Sequence, residues 1–264
     1  MANVTVPVSV VIPMHNSEQT IQRALASVLN QSALPREIII VDDCSTDSSH
    51  DVVSTLKKTS VVNIQLIKLE ENLGPSATRN IGWNAATSEF VAFLDSDDSW
   101  HRKKLEIQVR WMKGNPDCVI SGHLTGWSPA EIDELDQPIQ EFGLVNFLIR
   151  NRVSTPTVML RHSLEDRFDE AMWYAEDFDL WVRILSRHGK LTRIEVPLTQ
   201  LHKADFGESG LSSHLYPMFR GELRAIAKLH QSGNISLITA LTTSGWMTAK
   251  YALRVAKTKL RRIH

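Results

Sequence analysis

Asp95-Ser96-Asp97-Asp98 follows directly on the apolar run Phe90-Val91-Ala92-Phe93-Leu94, placing a carboxylate cluster at the mouth of what reads as a buried strand. Two carboxylates about 4 Å apart at a half-buried site repel by roughly 4 kcal/mol at an effective dielectric of 20. Such a cluster needs a cation, a proton or solvent. A divalent ion on Asp95 and Asp97 would meet a phosphate there, and oxygen ligands favour a hard ion such as Mg2+ or Mn2+. The other reading is a solvated acidic turn that caps the next helix. Two more polar groups end apolar runs, His15-Asn16 and Asp42-Asp43. The nucleotide fingerprints G-x-G-x-x-G and G-x-x-x-x-G-K-[ST] are missing, which argues against a dinucleotide oxidoreductase or a P-loop NTPase.

The elements that position these groups follow a βαβ rhythm. Apolar, mostly β-branched runs at 8–12, 37–41, 64–69, 89–94 and 118–121 alternate with amphipathic stretches at 18–29, 47–57, 76–86 and 105–112. Pro35, Asn72-Leu73-Gly74-Pro75 and Asn115-Pro116 punctuate the joins. This is the pattern of a parallel sheet with helices on both faces, and in such sheets ligands bind beyond the carboxyl ends of the strands. From 123 to 175 the pattern is irregular, with a short helix near 142–149 and an apolar stretch at 157–160. A helix resumes at Ala175-Glu176-Asp177-Phe178-Asp179-Leu180-Trp181, where Phe178, Trp181 and Leu185 share a face and Asp179 can pair with Arg183.

The 264 residues, 42% hydrophobic and 22% charged, suffice for one large domain or one domain with an appendage. There is no run of 18 apolar residues and no basic-then-apolar opening, so the expectation is a cytosolic protein. Cys44 and Cys118 fit a reduced compartment. The net charge of −1 conceals an asymmetry, because after Glu222 eight basic residues occur and no acid, leaving 21 basic against 30 acidic side chains before them. An acidic body with a basic tail points to an anionic partner, a membrane surface or a nucleic acid. Trp246, Ala249, Leu253, Ala256, Leu260 and Ile263 form one helical stripe, flanked by Lys259 and by a second stripe of Lys250, Arg254, Lys257 and Arg261. That suits a helix in an anionic membrane interface, or one packed on its own domain or a partner subunit.

The motifs V-S-V-V-I-P-M-H-N at 8–16, V-D-D-C-S-T-D at 41–47, N-L-G-P-S-A-T-R-N at 72–80, F-L-D-S-D-D-S-W with K-L-E-I-Q at 93–108, F-D-E at 168–170 and A-E-D-F-D-L-W at 175–181 resemble the family 2 glycosyltransferases of the GT-A fold. The resemblance implies a Rossmann-like, mostly parallel sheet flanked by helices with a C-terminal helical extension. It divides the chain into a domain at 1–215, with a donor half to 120 and an acceptor and catalytic half from 121, and an extension at 216–264. By matching position, Pro13 and His15 would line the base pocket, Asp43 would hydrogen-bond the base, and Arg79 would reach the base or diphosphate. Asp95, with Ser96 beside it, would approach the ribose or metal, and Asp97 would bind the metal. Asp177, paired with Glu176, would be the catalytic base of an inverting displacement; helix N-terminal stabilisation of about 0.3–1 kcal/mol each is the alternative for these acids. His202 would contact the metal or diphosphate, or be a surface histidine, and 203–213 would form a lid. His15 departs from the family's Tyr or Phe, and Cys44 from its Gly.

The activity implied is transfer from a nucleotide diphosphate sugar, UDP-sugar favoured, to a glycan or lipid-linked acceptor in bacterial surface polysaccharide synthesis. Nucleic acid is not expected as a partner, oligomers remain open, and the location implied is cytoplasmic or peripheral on the inner membrane face. A non-catalytic binding scaffold of the same fold and a sugar nucleotidyltransferase are the rivals. A scaffold has no need to keep Asp43, Asp95, Asp97 and Asp177 together. A nucleotidyltransferase would open with a glycine-rich basic loop, where His15-Asn16-Ser17-Glu18 stands.

Overall fold

The computed structural model describes residues 4–126, 132–202 and 214–261. They fall into two compact units: the chain through Phe142 with Arg152–Glu165 and Lys190–His202, and a helical unit of Gly143–Asn151, Asp166–Gly189 and the C-terminal helices.

In the first unit β1 (Val4–Met14), α1 (Ile21–Leu29), β2 (Ala33–Asp42), α2 (Ser49–Thr59), β3 (Asn63–Lys68), α3 (Gly74–Ala85) and β4 (Phe90–Phe93) alternate as the apolar periodicity requires. β5 (Ser99–Trp100), α4 (Lys104–Gly114), β6 (Ile120–Thr125), β7 (Ile139–Gly143), β8 (Met159–Arg161) and β9 (Lys190–Gln200) complete one mixed sheet. Its order is β3-β2-β1-β4-β8-β6-β9-β5, with β7 on β9. β3, β2, β1 and β4 run parallel, β8 is antiparallel to both neighbours, and β6 is parallel to β9.

The central strands are covered on both faces, which is why 38–41 and 90–93 read as unbroken apolar runs and are buried throughout. α1 turns Ile21, Ala24, Leu25 and Val28 inward at three- and four-residue spacing. α3 lies so close to the sheet that a Cβ on Gly82 would stand 2.4 Å from Val11 Cγ1. Trp83 meets Phe93 edge to face at 5.5 Å. No strand is expected at 190–200 from the sequence, yet β9 spans it. Ile194, Val196 and Leu198 alternate inward, and Pro197 between them faces Leu124 where the β6–β9 register shifts.

His123 on β6 is 1% exposed, with Nδ1 bonded to the Leu124 carbonyl at 2.9 Å and Nε2 without a partner among the described residues. Burial, with the nearby Lys104 adding to it, pushes its pKa down to about 3. Above pH 6.5 the ring is neutral whether folded or not. Below it the unfolded chain takes up a proton and the folded chain does not, so stability falls by up to about 1.4 kcal/mol per pH unit until the folded pKa is reached. His123→Leu is therefore expected to gain on wild type as pH falls from 7 to 4 in urea unfolding. A difference that stays constant over that range would rule His123 out as a source of acid sensitivity.

In the helical unit, α5 (Leu144–Ile149), α6 (Glu176–His188), α7 (Leu215–Gln231) and α8 (Leu237–Arg261) pack together. Phe178, Trp181 and Leu185 are buried on one face of α6, and Asp179 pairs with Arg183 at 2.9 Å as the spacing predicts. Lys228 on α7 bridges Asp179 at 2.6 Å and Asp169 at 3.0 Å, and Asp166 accepts from Arg183 and Arg187. α8 packs through Ala240, Thr243 and Met247 and turns Ala249, Leu253 and Ala256 outward, while Trp246, half in solvent, donates its indole N–H to the Ile149 carbonyl at 3.0 Å. Lys250 donates to the Ile149 carbonyl and Arg254 pairs with Glu222, so part of the basic stripe is engaged within the unit. The side chains of Lys259, Leu260, Arg261 and Ile263 lie outside the described residues, as do the expected lid residues 203–213. No described helix is long and apolar enough to cross a membrane.

Candidate functional site

The loops that leave β1, β2 and β4 at their carboxyl ends are tied to one another. The Asp43 amide donates to the Met14 carbonyl at 2.8 Å, and His15 Nδ1 lies 2.7 Å from the Asp43 carbonyl. Asn16, with φ 47°, donates its backbone N–H to Ser45 Oγ and accepts from the Thr46 amide on its side chain. Cys44 sits in the left-handed region, with φ 58°, where the family resemblance expects glycine. The turn therefore keeps the glycine geometry despite the Cβ, and the Cys44 thiol donates to the Glu70 carbonyl. Pro13 is half-buried near the end of β1 opposite Val41.

Asp43 is 4% exposed, and its carboxylate accepts the amides of Leu73 at 2.7 Å and Gly74 at 3.0 Å. It thus holds the start of α3, where a negative charge is also favoured by the helix dipole. Two oxygens offer about four acceptor positions, so the group that orders α3 retains capacity for a ligand donor. Asp42, fully buried, accepts from the Ser45 amide on Oδ1 and leaves Oδ2 without a protein partner.

α3 delivers Arg79 to the acidic cluster. Its guanidinium bonds Asp95 Oδ1 at 3.0 Å, with the arginine side chain 7% exposed and the aspartate 22%. One oxygen from each of Asp95, Asp97 and Asp98 lies within 4.8 Å of the others. That spacing lets all three reach a single hard cation at oxygen distances of about 2.0–2.6 Å, so the donor set fits Mg2+ or Mn2+. The loop is braced from α1 and the segment before it: Ser17 Oγ lies 2.8 Å from Ser96 Oγ, and Arg23 donates to the Asp97 carbonyl at 2.6 Å.

His202, at the end of β9, donates its backbone N–H to Asp98 Oδ1, and its Nε2 lies 2.8 Å from Ser99 Oγ. Burial and the charge of Arg23 lower its pKa, against the opposing pull of Asp97. The three-carboxylate cluster does not include it.

In the helical unit, Ala175 at φ 55° turns the chain into α6, and Glu176 and Asp177 occupy its first turn. Glu176 is 8% exposed; Asp177 is half-buried and accepts from Asn151 Nδ2 at 3.2 Å. A carboxylate held in this way can accept a proton from a hydroxyl within hydrogen-bond reach.

The first unit therefore brings together His15, Asp43, Arg79, Asp95, Ser96, Asp97 and His202 with Pro13 close in sequence. Ser17 and Arg23 join them without having been singled out, and Asp98, expected only to support or cap within the acidic run, joins the carboxylate cluster. Only Asp98 carried a signal, its place beside Asp97; Ser17 and Arg23 read as ordinary positions before and on an amphipathic helix.

A family model described as glycosyl transferase family 2 matches residues 9–163. A Bacillus subtilis protein named for teichuronic acid biosynthesis is 42% identical over 121 residues, 46% of either chain. The Escherichia coli UDP-Glc:alpha-D-GlcNAc-diphosphoundecaprenol beta-1,3-glucosyltransferase is 30% identical over 189 residues, 67% of this chain and 69% of that protein. The matched region spans about half or less of several of the curated relatives. Among solved structures, Staphylococcus aureus TarS 1–349 with UDP-GlcNAc aligns with a TM-score of 0.68 at 22% identity, over 85% of this chain and 66% of that one. The Pyrobaculum calidifontis mannosyltransferase in complex with GDP-Man and Mn2+ aligns at 0.63 and 17% identity, over 98% and 81%. These likenesses establish the GT-A fold.

Proposed function

From the premise that this chain belongs to glycosyl transferase family 2, we infer that it moves a sugar, with inversion, from a nucleotide diphosphate sugar to a hydroxyl of a growing surface polysaccharide. The observation that carries the reading is the linked set at the carboxyl ends of β1, β2 and β4: Asp43 on the α3 amides, and Arg79 on Asp95 within a three-aspartate cluster. Pro13, His15 and Asp43 would take the base, and Arg79 and Ser96 the ribose or diphosphate side. Asp95, Asp97 and Asp98 would hold Mg2+ or Mn2+, with His202 beside them; such an ion supplies positive charge to a departing diphosphate. Asp177 would accept the acceptor hydroxyl's proton, assisted by the buried Glu176.

A UDP-sugar is the favoured donor, because one relative is named for UDP-Glc and TarS forms complexes with UDP and UDP-GlcNAc. A lipid-linked glycan is the favoured acceptor, on the diphosphoundecaprenol of that relative's name. A thermal-shift panel of UDP-, GDP- and dTDP-sugars with and without Mn2+ tests the donor half. At about 100 times Kd the right donor should raise the melting temperature on the order of 5–10 °C, and only with metal. No shift from any nucleotide in the presence of metal would overturn the reading.

Such an acceptor would bring the enzyme to an anionic membrane surface. In support, Leu237, Ile238, Leu241, Trp246 and Leu253 of α8 are exposed, and the described exposed positions from Leu237 to Ala256 carry no charge. Lys257 is exposed as well, and the sequence that follows it is basic. Anionic vesicles are expected to float the wild-type chain at low salt, and the triple variant Ile238→Ser, Leu241→Ser, Leu253→Ser to remain below. Equal flotation of the two would sink the membrane role of α8.

A further inference from the structure

Within the helical unit, a groove of about 430 Å3 runs between the 171–174 segment and α7, lined by Ala171, Met172, Trp173, Tyr174, Tyr216, Pro217, Arg220, Gly221 and Arg224. We propose that this groove binds a pyranose carrying an oxyanion, a phosphate or a carboxylate, as part of the acceptor. The aromatic side chains would take the faces of the sugar and Arg220 the anion. The proposal rests on the transferase reading and names the acceptor chemistry that reading leaves open.

The volume is that of a small-ligand site. Trp173 is 46% exposed and Tyr216 56%, so two large rings stay in water along the groove. Exposed apolar surface gathered in a concavity marks a binding site more than a lone exposed residue does. Rings with a polar edge suit a ligand that is apolar on its C–H faces and polar at its rim.

The two arginines divide their tasks. Arg224 donates to the Ala171 carbonyl at 3.0 Å and to Asp169 at 3.3 Å, so it is part of the wall. Arg220, one turn earlier, is exposed, has no ion pair among the described residues, and lies 6.0 Å over the Tyr216 ring. A guanidinium backed by an aromatic face is oriented with its donors still available, and its planar fork matches phosphate and carboxylate.

The geometry is held from below. A Cβ on Gly221 would stand 2.3 Å from the Tyr174 carbonyl oxygen, so α7 rests directly on that backbone. Tyr174 also meets His214 edge to face at 5.7 Å. From Tyr174 the chain passes through Ala175, at φ 55°, into Glu176 and Asp177. The groove wall and the proposed base are therefore parts of one short, packed run. This continuity assigns the groove to the acceptor and not to the donor.

Titration of the full chain with a hexose 1-phosphate, a hexuronic acid and the neutral methyl glycoside of the same hexose, followed by Trp fluorescence or calorimetry, tests this. At least one anionic sugar is expected to bind about tenfold more tightly than the neutral one. Preference for the 1-phosphate points to a phosphate-linked acceptor, and preference for the uronate to an acidic glycan; either supports the site. Arg220→Ala should abolish the anionic preference, Arg220→Lys restore part of it, and Trp173→Ala weaken all three ligands. Neutral and anionic sugars binding alike to wild type, or a preference that survives Arg220→Ala, would overturn the proposal. The best nucleotide sugar is titrated in parallel. If it binds wild type and Arg220→Ala equally, a failed groove leaves the transferase reading standing; if it does not bind wild type, the transferase reading fails first.

Discussion

Asp177→Asn is expected to lower kcat for sugar transfer by about 10²–10⁴-fold while leaving nucleotide-sugar affinity within about twofold of wild type. The substitution preserves size and, through its one remaining oxygen, one of the two bonds the carboxylate accepts, from Asn151 Nδ2 at 3.2 Å and the Phe178 amide at 2.7 Å, but it removes the ability to take a proton. Its structural cost is small. Asp177 is half-buried, and losing a charge in the first turn of α6 forfeits about 0.3–1 kcal/mol. Phe178, Trp181 and Leu185 keep the helix anchored. A folded protein that binds donor and does not turn over would identify the residue as the base. Loss of nucleotide binding to the same degree would instead make Asp177 a binding residue. Glu176→Gln is the internal comparison: this carboxylate is 8% exposed, and if Asp177 takes the proton its variant should retain more activity.

The sequence made the first unit legible because its signals are local. β1 to β4 and α1 to α4 declare themselves by runs and spacing, and the polar groups that close β1, β2 and β4 sit where such strands end. What escaped it depends on contacts distant along the chain. Arg23 reaches the Asp97 carbonyl across 74 residues, and Ser17 reaches Ser96 across 79; both follow from β1 and β4 being neighbours. β9 was hidden by Pro197, and β5 by its length of two residues. Cys44 shows the converse, a residue type that argues against a tight turn in a backbone that forms one. On α8 the spacing of Trp246, Ala249, Leu253 and Ala256 was plain, but periodicity finds an apolar face without saying what it meets. The packed face proved to be that of Ala240, Thr243 and Met247.

Asp97→Asn is expected to raise the Kd for the nucleotide sugar by about 100-fold or more in the presence of Mn2+, and to leave it unchanged when metal is chelated. The three aspartates differ in how cleanly they can be tested. Asp95 pairs with Arg79, whose side chain is 7% exposed; removing that carboxylate takes a charged partner from a buried guanidinium and costs about 1–3 kcal/mol of stability besides any ligand. Asp98 is 2% exposed and accepts from the His202 amide, so its loss would disturb the end of β9 as well. Asp97 is half-buried, and Arg23 holds its loop through the backbone carbonyl, a contact that a change of the carboxylate leaves in place. If the cluster holds a hard ion, a third of its protein charge disappears with Asp97, and metal sites lose about 10–100-fold even for changes outside the ligands themselves. Isothermal titration with and without Mn2+ separates the cases. Equal donor affinity in wild type and variant with metal present would show that the cluster is an acidic turn and that the diphosphate is held by other groups.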